Sequence, residues 1–344
     1  MKRVIVAPLN WGLGHATRCI PIINALINAE FTPIIASDGK ALQFLEKEFP
    51  TLETLELPSY QISYGKNLKF DLLKKFPRFL KVMKEEHRVI QEYIQSNEVV
   101  GIISDNRFGV YTKNIPSVYL THQLNVKSGI FTPITSYFHQ RIIKKFDECW
   151  IPDEAGSQYS GMLSRTNKKL NQKFIGVLSR FEKIEAEKII DILIVLSGPE
   201  PNRSILETKL IQKLRDTDLT VYLVRGKVEA ERKVETLGKL RVINFAGSTE
   251  LNGHLNLAKK VICRSGYSSI MDLVTLEKEA ILIPTQGQSE QEYLAKYLSA
   301  EGRFEIIKEK YIEQYQFKID TTSIVPKFKK NEFDTGLFGL FHRE

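Results

Sequence analysis

VICRSGYSSIMDLVTLEKEAILIPTQGQSEQEYLAKY, residues 261–297, alternates apolar runs with polar turns. The run at 261–263 ends in the turn Arg264-Ser265-Gly266, a helix-like stretch follows at 268–276, and a second apolar run at 280–283 stops at Pro284. The spacing predicts strand, turn, helix, strand, the repeating unit of a parallel α/β sheet. A small polar turn at a helix start aims backbone N–H groups of residues 265–269 outward, where they can hold a phosphate. The loop beyond Pro284 is rich in Gln, Glu, Ser and Gly, side chains suited to a sugar, so the stretch reads as a nucleotide-sugar cradle.

The same grammar runs through the rest of the chain. Residues 3–8 (RVIVAP) read as a strand apolar enough to be central, followed by the loop Leu9-Asn10-Trp11-Gly12-Leu13-Gly14-His15 and a helix over 16–29. Further strands are predicted at 33–37, 52–57, 99–104, 117–120, 148–151 and 173–175. After a charged connector at 182–188 a second series begins, with strands at 189–196, 220–224, 241–244, 261–263 and 281–283 and a helix at 204–214. The fold class is therefore α/β, with two Rossmann-like, doubly wound parallel-sheet domains facing across a cleft. The expected division is an N-terminal domain over 1–181, a C-terminal domain over 182–325, and a tail over 326–344 that packs back on the first domain.

Composition limits the function classes. The chain has 344 residues, 42% hydrophobic and 26% charged, which suits two globular domains. No apolar run reaches the ~20 residues of a membrane span, and no signal segment opens the chain, so a cytoplasmic location is expected. Cys19, Cys149 and Cys263 are too scattered for a disulfide framework or zinc knuckle and read as packing residues. The net charge of +8 comes without a nucleic-acid-binding motif, so nucleic acid is not an expected partner. Residues 68–94 carry Leu72, Phe76, Phe79, Leu80 and Met83 at helical spacing beside Lys74, Lys75, Arg78, Lys81 and Lys84, and the tail mixes Phe328, Phe333, Leu337, Phe338, Leu340 and Phe341 with Lys327, Lys329, Lys330 and Arg343. Both segments suit packing and leave peripheral contact with an anionic membrane open. Gly12-x-Gly14 lacks the third glycine of a dinucleotide fingerprint, although Asp38 falls near the ribose position of such folds.

Three stretches in order, GLGHATR at 12–18, CRSGYSSIMD at 263–272 and PTQGQSEQEYLA at 284–295, together with Thr121-His122-Gln123-Leu124-Asn125, resemble the GT-B glycosyltransferases of family 28. The resemblance implies that the second domain binds a UDP-sugar and the first an acceptor, lipid-linked or glycan, at the inner face of the membrane. It implies diphosphate contacts at Arg264, Ser265, Gly266, Ser268 and Ser269, a ribose carboxylate at Asp272, donor-sugar contacts at Glu290 and Gln291, and a uracil contact at Phe245. Gly14 and Arg18 fall beside the donor phosphates, and Arg203 offers a further bidentate phosphate clamp. His122 and Asn125 fall on the acceptor side. His15 matches the loop histidine of the family, and an imidazole with a reference pKa near ~6.5 can accept a hydroxyl proton. Asp105, at the end of a strand, is the competing general base.

The expected activity is transfer of a hexose or N-acetylhexosamine from UDP to a hydroxyl, inverting by resemblance. No cofactor and no metal is expected, since no His/Asp cluster at metal spacing stands in the sequence. A UDP-N-acetylglucosamine 2-epimerase, a non-catalytic sugar-nucleotide sensor and, more distantly, an NAD-dependent dehydrogenase are the competing readings.

Overall fold

Strands buried on both faces must be covered by helices on both sides, and the sequence supplies two such sets. The computed structural model describes residues 2–61, 68–127, 129, 132–227, 231–319 and 334–342, without the side chains of 68–76. Leu72, Phe76, Lys74 and Lys75 of the amphipathic stretch, and Lys327, Phe328, Lys329, Lys330, Phe333 and Arg343 of the tail, therefore lie outside what is described. The chain divides into one unit of Met1–Leu178 with Asn331–Glu344 and another of Ser179–Lys330.

The first unit holds β1 (Arg3–Pro8), α1 (Leu13–Asn28), β2 (Thr32–Ser37), α2 (Gly39–Glu48), β3 (Glu53–Glu56), α3 (Leu68–Ser96), β4 (Val99–Asp105), β5 (Ser117–Leu120), α4 (Thr132–Ile143), β6 (Glu148–Ile151) and β7 (Gln172–Phe174). Its seven strands lie in the order β3-β2-β1-β4-β5-β6-β7, all pairs parallel. The winding reverses between β1 and β4, where the register sets Pro8 beside Asp105. At such a switch point the carboxyl ends of the strands leave a crevice for a ligand. Ile5, Ala7, Ile34, Ala36, Ile90 and Ile102 form one core under the sheet.

The segment Thr335–His342 returns to this unit as 3-10 turns. Phe338 and Phe341 meet Phe31 edge to face at 6.0 and 6.3 Å and tilt over Trp150 at 6.2 and 6.3 Å. A Cβ on Gly101 of β4 would fall 2.1 Å from the Phe341 ring, so the missing side chain is what lets the ring lie on the strand.

The second unit holds β8 (Ile190–Val195), α5 (Asn202–Leu214), β9 (Val221–Val224), β10 (Val234–Leu237), β11 (Leu240–Ile243), α6 (Ser248–Leu257), β12 (Ala258–Cys263), α7 (Tyr267–Thr275), β13 (Glu279–Leu282), α8 (Ser289–Ala300) and β14 (Glu305–Ile306). Strand order is β10-β11-β9-β8-β12-β13-β14, and the switch falls between β8 and β12. Every pair is parallel except β10 with β11, joined through Gly238 in the left-handed region at φ +61. The sequence reading contains neither β10 nor β14. All four residues of β10 are exposed, so it carries no apolar alternation to read. Among the described residues no helix is long and apolar enough to cross a membrane.

Candidate active site

The first switch point brings together His15, Arg18, Asp105 and His122. Gly12, at φ +82, turns the chain from β1 into α1, a conformation that favours glycine, and this puts His15 in the first turn of the helix with Arg18 one turn on. Asp105 ends β4, and Asn106 after it takes φ +58, which asparagine tolerates. The Leu9 N–H donates to the Asp105 carbonyl at 2.9 Å, tying the two loops.

Arg18 holds the Asp105 carboxylate in a fork: Nε donates to Oδ2 at 2.6 Å and Nη2 donates to Oδ1. Its Nη1 lies 2.9 Å from His122 Nδ1, which therefore accepts. His15 Nδ1 stands 2.9 Å from Asp105 Oδ1 and 2.8 Å from Arg18 Nη2. Asp105 is fully buried, Arg18 is 3% exposed, and the His15 side chain keeps 16%. Desolvation pushes the Asp105 carboxyl up, but the adjoining Arg18 guanidinium and His15 more than offset it and hold it well below the usual carboxylate range. The buried Cys19 thiol, 3.6 Å from Asp105 Oδ2, is pushed up by burial and by that carboxylate, which keeps it a protonated packing group. Its closeness to the carboxylate has no signal in the sequence.

In the second unit α7 starts after the Gly266 cap and presents the positive end of its dipole at residues 267–269. Ser265, fully buried, donates through Oγ to the Gln291 carbonyl at 2.8 Å, and the Gln291 side-chain oxygen accepts from Thr285 N–H at 2.9 Å. The turn before α7, the loop after β13 and the start of α8 are thereby braced together. Glu290 stands in the first turn of α8. Asp272 accepts from the Ser179 hydroxyl at 2.6 Å, and desolvation raises its pKa to about 6 against the pull of Arg180 and Ser179.

Several residues that the sequence reading assigns to the donor face elsewhere. Arg264 is 1% exposed and its guanidinium pairs with Glu309 at 3.0 Å and donates to the Asn202 carbonyl at 2.9 Å. Its Nη1 also donates to the Ile283 and Pro284 carbonyls at 3.3 and 3.4 Å, so the arginine expected on a diphosphate is turned inward here. Arg203 is likewise buried, paired with Glu207 at 2.7 Å and through Nε with Glu200 at 2.9 Å. Glu309 lies 45 residues from Arg264, too far for any sequence pattern to reveal the pair. Phe245 follows β11 half-buried, with its N–H donated to the Asn244 side chain at 2.9 Å. Asn125 donates to the Met162 carbonyl at 3.0 Å and stays out of the histidine cluster that His122 joins. The Gly14 carbonyl accepts from Thr17 Oγ1 at 3.1 Å.

Two sheets wound in this manner are the architecture of known sugar-transferring enzymes. Spinosyn rhamnosyltransferase SpnG aligns with a TM-score of 0.64 at 12% identity, covering 91% of this chain and 90% of that one. MurG of Acinetobacter baumannii aligns with a TM-score of 0.56 at 14% identity, covering 91% and 89%. The fold class is GT-B. Residues 195–332 match the glycosyltransferase family 28 C-terminal domain. The UDP-N-acetylglucosamine--N-acetylmuramyl-(pentapeptide) pyrophosphoryl-undecaprenol N-acetylglucosamine transferase of Alkaliphilus metalliredigens is 24% identical over 93% of this chain and 89% of its own length. An uncharacterised glycosyltransferase of Methanosarcina acetivorans is 23% identical over 85% and 82%. Residues 195–332 thus carry a family 28 glycosyltransferase C-terminal domain, on a chain whose fold is GT-B.

Proposed function

We propose that this glycosyltransferase moves a hexose or N-acetylhexosamine from a UDP-sugar to an acceptor hydroxyl, with inversion and without a resident metal ion. The observation that carries the reading is the 2.9 Å contact between His15 Nδ1 and the buried Asp105 carboxylate. With the Nδ1 proton directed at that carboxylate, Nε2 keeps its lone pair. It accepts the hydroxyl proton as the acceptor oxygen bonds to the anomeric carbon and the bond to the diphosphate breaks, the electron pair leaving on UDP. Asp105, paired with Arg18, has too low a proton affinity to be the base itself and acts by orienting and charging the imidazole.

Departing diphosphate gains stabilisation from the positive end of α7. Asp272, one turn further along α7 than Ser268, remains the carboxylate for the ribose, and Glu290 and Gln291 the pair for the sugar. Arg264 and Arg203 support this site by bracing it from within. A UDP donor is supported by the relative from Alkaliphilus, whose own name gives UDP-N-acetylglucosamine as donor and an undecaprenol-linked acceptor.

UDP release measured across a panel of UDP-sugars, with and without membrane lipid extract, tests the reading. Release that depends on one donor and on added acceptor is expected. Absence of release, together with no thermal stabilisation by UDP, would overturn it.

A further inference from the structure

A pocket of about 560 Å³ opens in the first unit at the ends of β1, β2 and β3, lined among others by Asn10, Asp38, Glu56, Pro58, Ser59 and Val89. Its floor is built from buried, paired polar groups. Asp38, 4% exposed, accepts from Asn10 Nδ2 at 3.0 Å and from Arg107 Nη2 at 2.8 Å. The same Nη2 donates to the Pro58 carbonyl at 2.8 Å, which fixes the pocket's third strand end. Arg107 is fully buried and its Nε pairs with Glu86 at 2.7 Å, so its charge is spent on two carboxylates. A Cβ on Gly39 would fall 2.6 Å from Asn10 Nδ2, and the glycine thus clears the path of the Asn10 amide to Asp38.

The chemistry of the lining is one-sided. It offers two carboxylates, an amide and a hydroxyl beside an apolar wall of Pro58 and Val89, and no lysine or arginine lines it among the described residues. Carboxylates and an amide over an apolar face suit a ring with hydroxyls on its edge, and with Asp38 paired to Arg107 it is the exposed Glu56 carboxylate that favours an ammonium and repels an anion. We propose that this pocket is a subsite for the acceptor, taking a neutral or amine-bearing sugar ring and rejecting phosphate and carboxylate. This rests on the transferase reading for the ligand's role, since Asn10 stands five residues before His15 in one tethered stretch of chain. A pyrophosphoryl group such as that in the acceptor of the Alkaliphilus relative would have no place in it.

Calorimetric titration of the full chain at neutral pH and fixed ionic strength, with N,N′-diacetylchitobiose, chitobiose and glucose 1-phosphate, tests the subsite, and UDP is titrated in parallel. The two uncharged or amine-bearing disaccharides are expected to bind, and glucose 1-phosphate to bind at least about ten-fold more weakly. Val89→Trp, which fills the apolar wall, removes binding of both disaccharides, while Glu56→Lys weakens chitobiose about ten-fold and strengthens the sugar phosphate. Glucose 1-phosphate binding as tightly as the disaccharides, or disaccharide binding unchanged in both variants, overturns the subsite. A chain that binds UDP and none of the disaccharides overturns the subsite and leaves the transferase reading standing. Disaccharide binding without any response to UDP supports the pocket's chemistry and overturns the transferase reading instead.

Discussion

At the scale of single residues, the proposed mechanism divides two jobs that the sequence leaves undivided between Asp105 and His15. Ninety residues separate them, and only the β1–β4 register puts the carboxylate under the imidazole. If Asp105 orients His15, Asp105→Asn lowers kcat by about 10²-fold or more, as does His15→Ala, and the double variant is no worse than His15→Ala alone. Multiplying losses in steady-state assays would mean that the two act separately. Asp272 carries a different prediction. Its pKa is raised to about 6 from an ordinary 3.8, so the folded chain holds that proton more tightly than the unfolded chain. The carboxyl's contribution to stability is then complete below about pH 4 and is lost as pH rises through about 6. Asp272→Asn should therefore stabilise the second unit at pH 7.5 by up to about 3 kcal/mol and make little difference at pH 4. Urea titrations at the two values check this, and a pH-independent difference would contradict it.

Elements differ in how far the sequence exposes them. Central strands such as β1, β4 and β8 are apolar at most positions, β12 is so only over its last three residues, and glycine-bearing turns follow them, so their existence and parallel pairing can be read directly. Strand β10 is legible in no such way, because its pairing with β11 is a hairpin on the sheet edge with all four of its residues exposed. The inward turn of Arg264 is equally hidden, since the partner that draws it in, Glu309, belongs to a segment with no pattern of its own. Gly101 illustrates an element-level dependence that composition conceals. Gly101→Ala would push a methyl into the Phe341 ring, and overpacking of this kind costs about 1–3 kcal/mol. A chain ending before Asp334 exposes Phe31 and Trp150 and should lose more. Calorimetry should register both changes in the first unit's transition alone, whereas a lowered transition in the second unit would contradict the assignment of 334–342.

For the whole molecule, the two units repeat one winding and put opposite chemistry at the same topological place. The strand beside the first strand ends in Asp105 in one unit and runs into Arg264 and the α7 turn in the other. The first position carries a buried carboxylate in contact with a histidine, and the second leads to a helix end that favours a bound anion. The proposed donor, a nucleotide with two phosphates, would then sit on the second unit, where the family domain matches residues 195–332. UDP at ~100 times its Kd should add about 2.7 kcal/mol of stability to the unit that binds it. Hydrogen exchange in the full chain should then slow most at residues 264–269 and 285–291, the turn before α7 and the loop braced to it by Ser265 and Gln291. Slowing centred instead on the turns after β1 and β2 would assign the nucleotide to the Asp38 side of the first unit. That outcome would revive the dinucleotide reading and require the acceptor and donor roles of the two units to be exchanged.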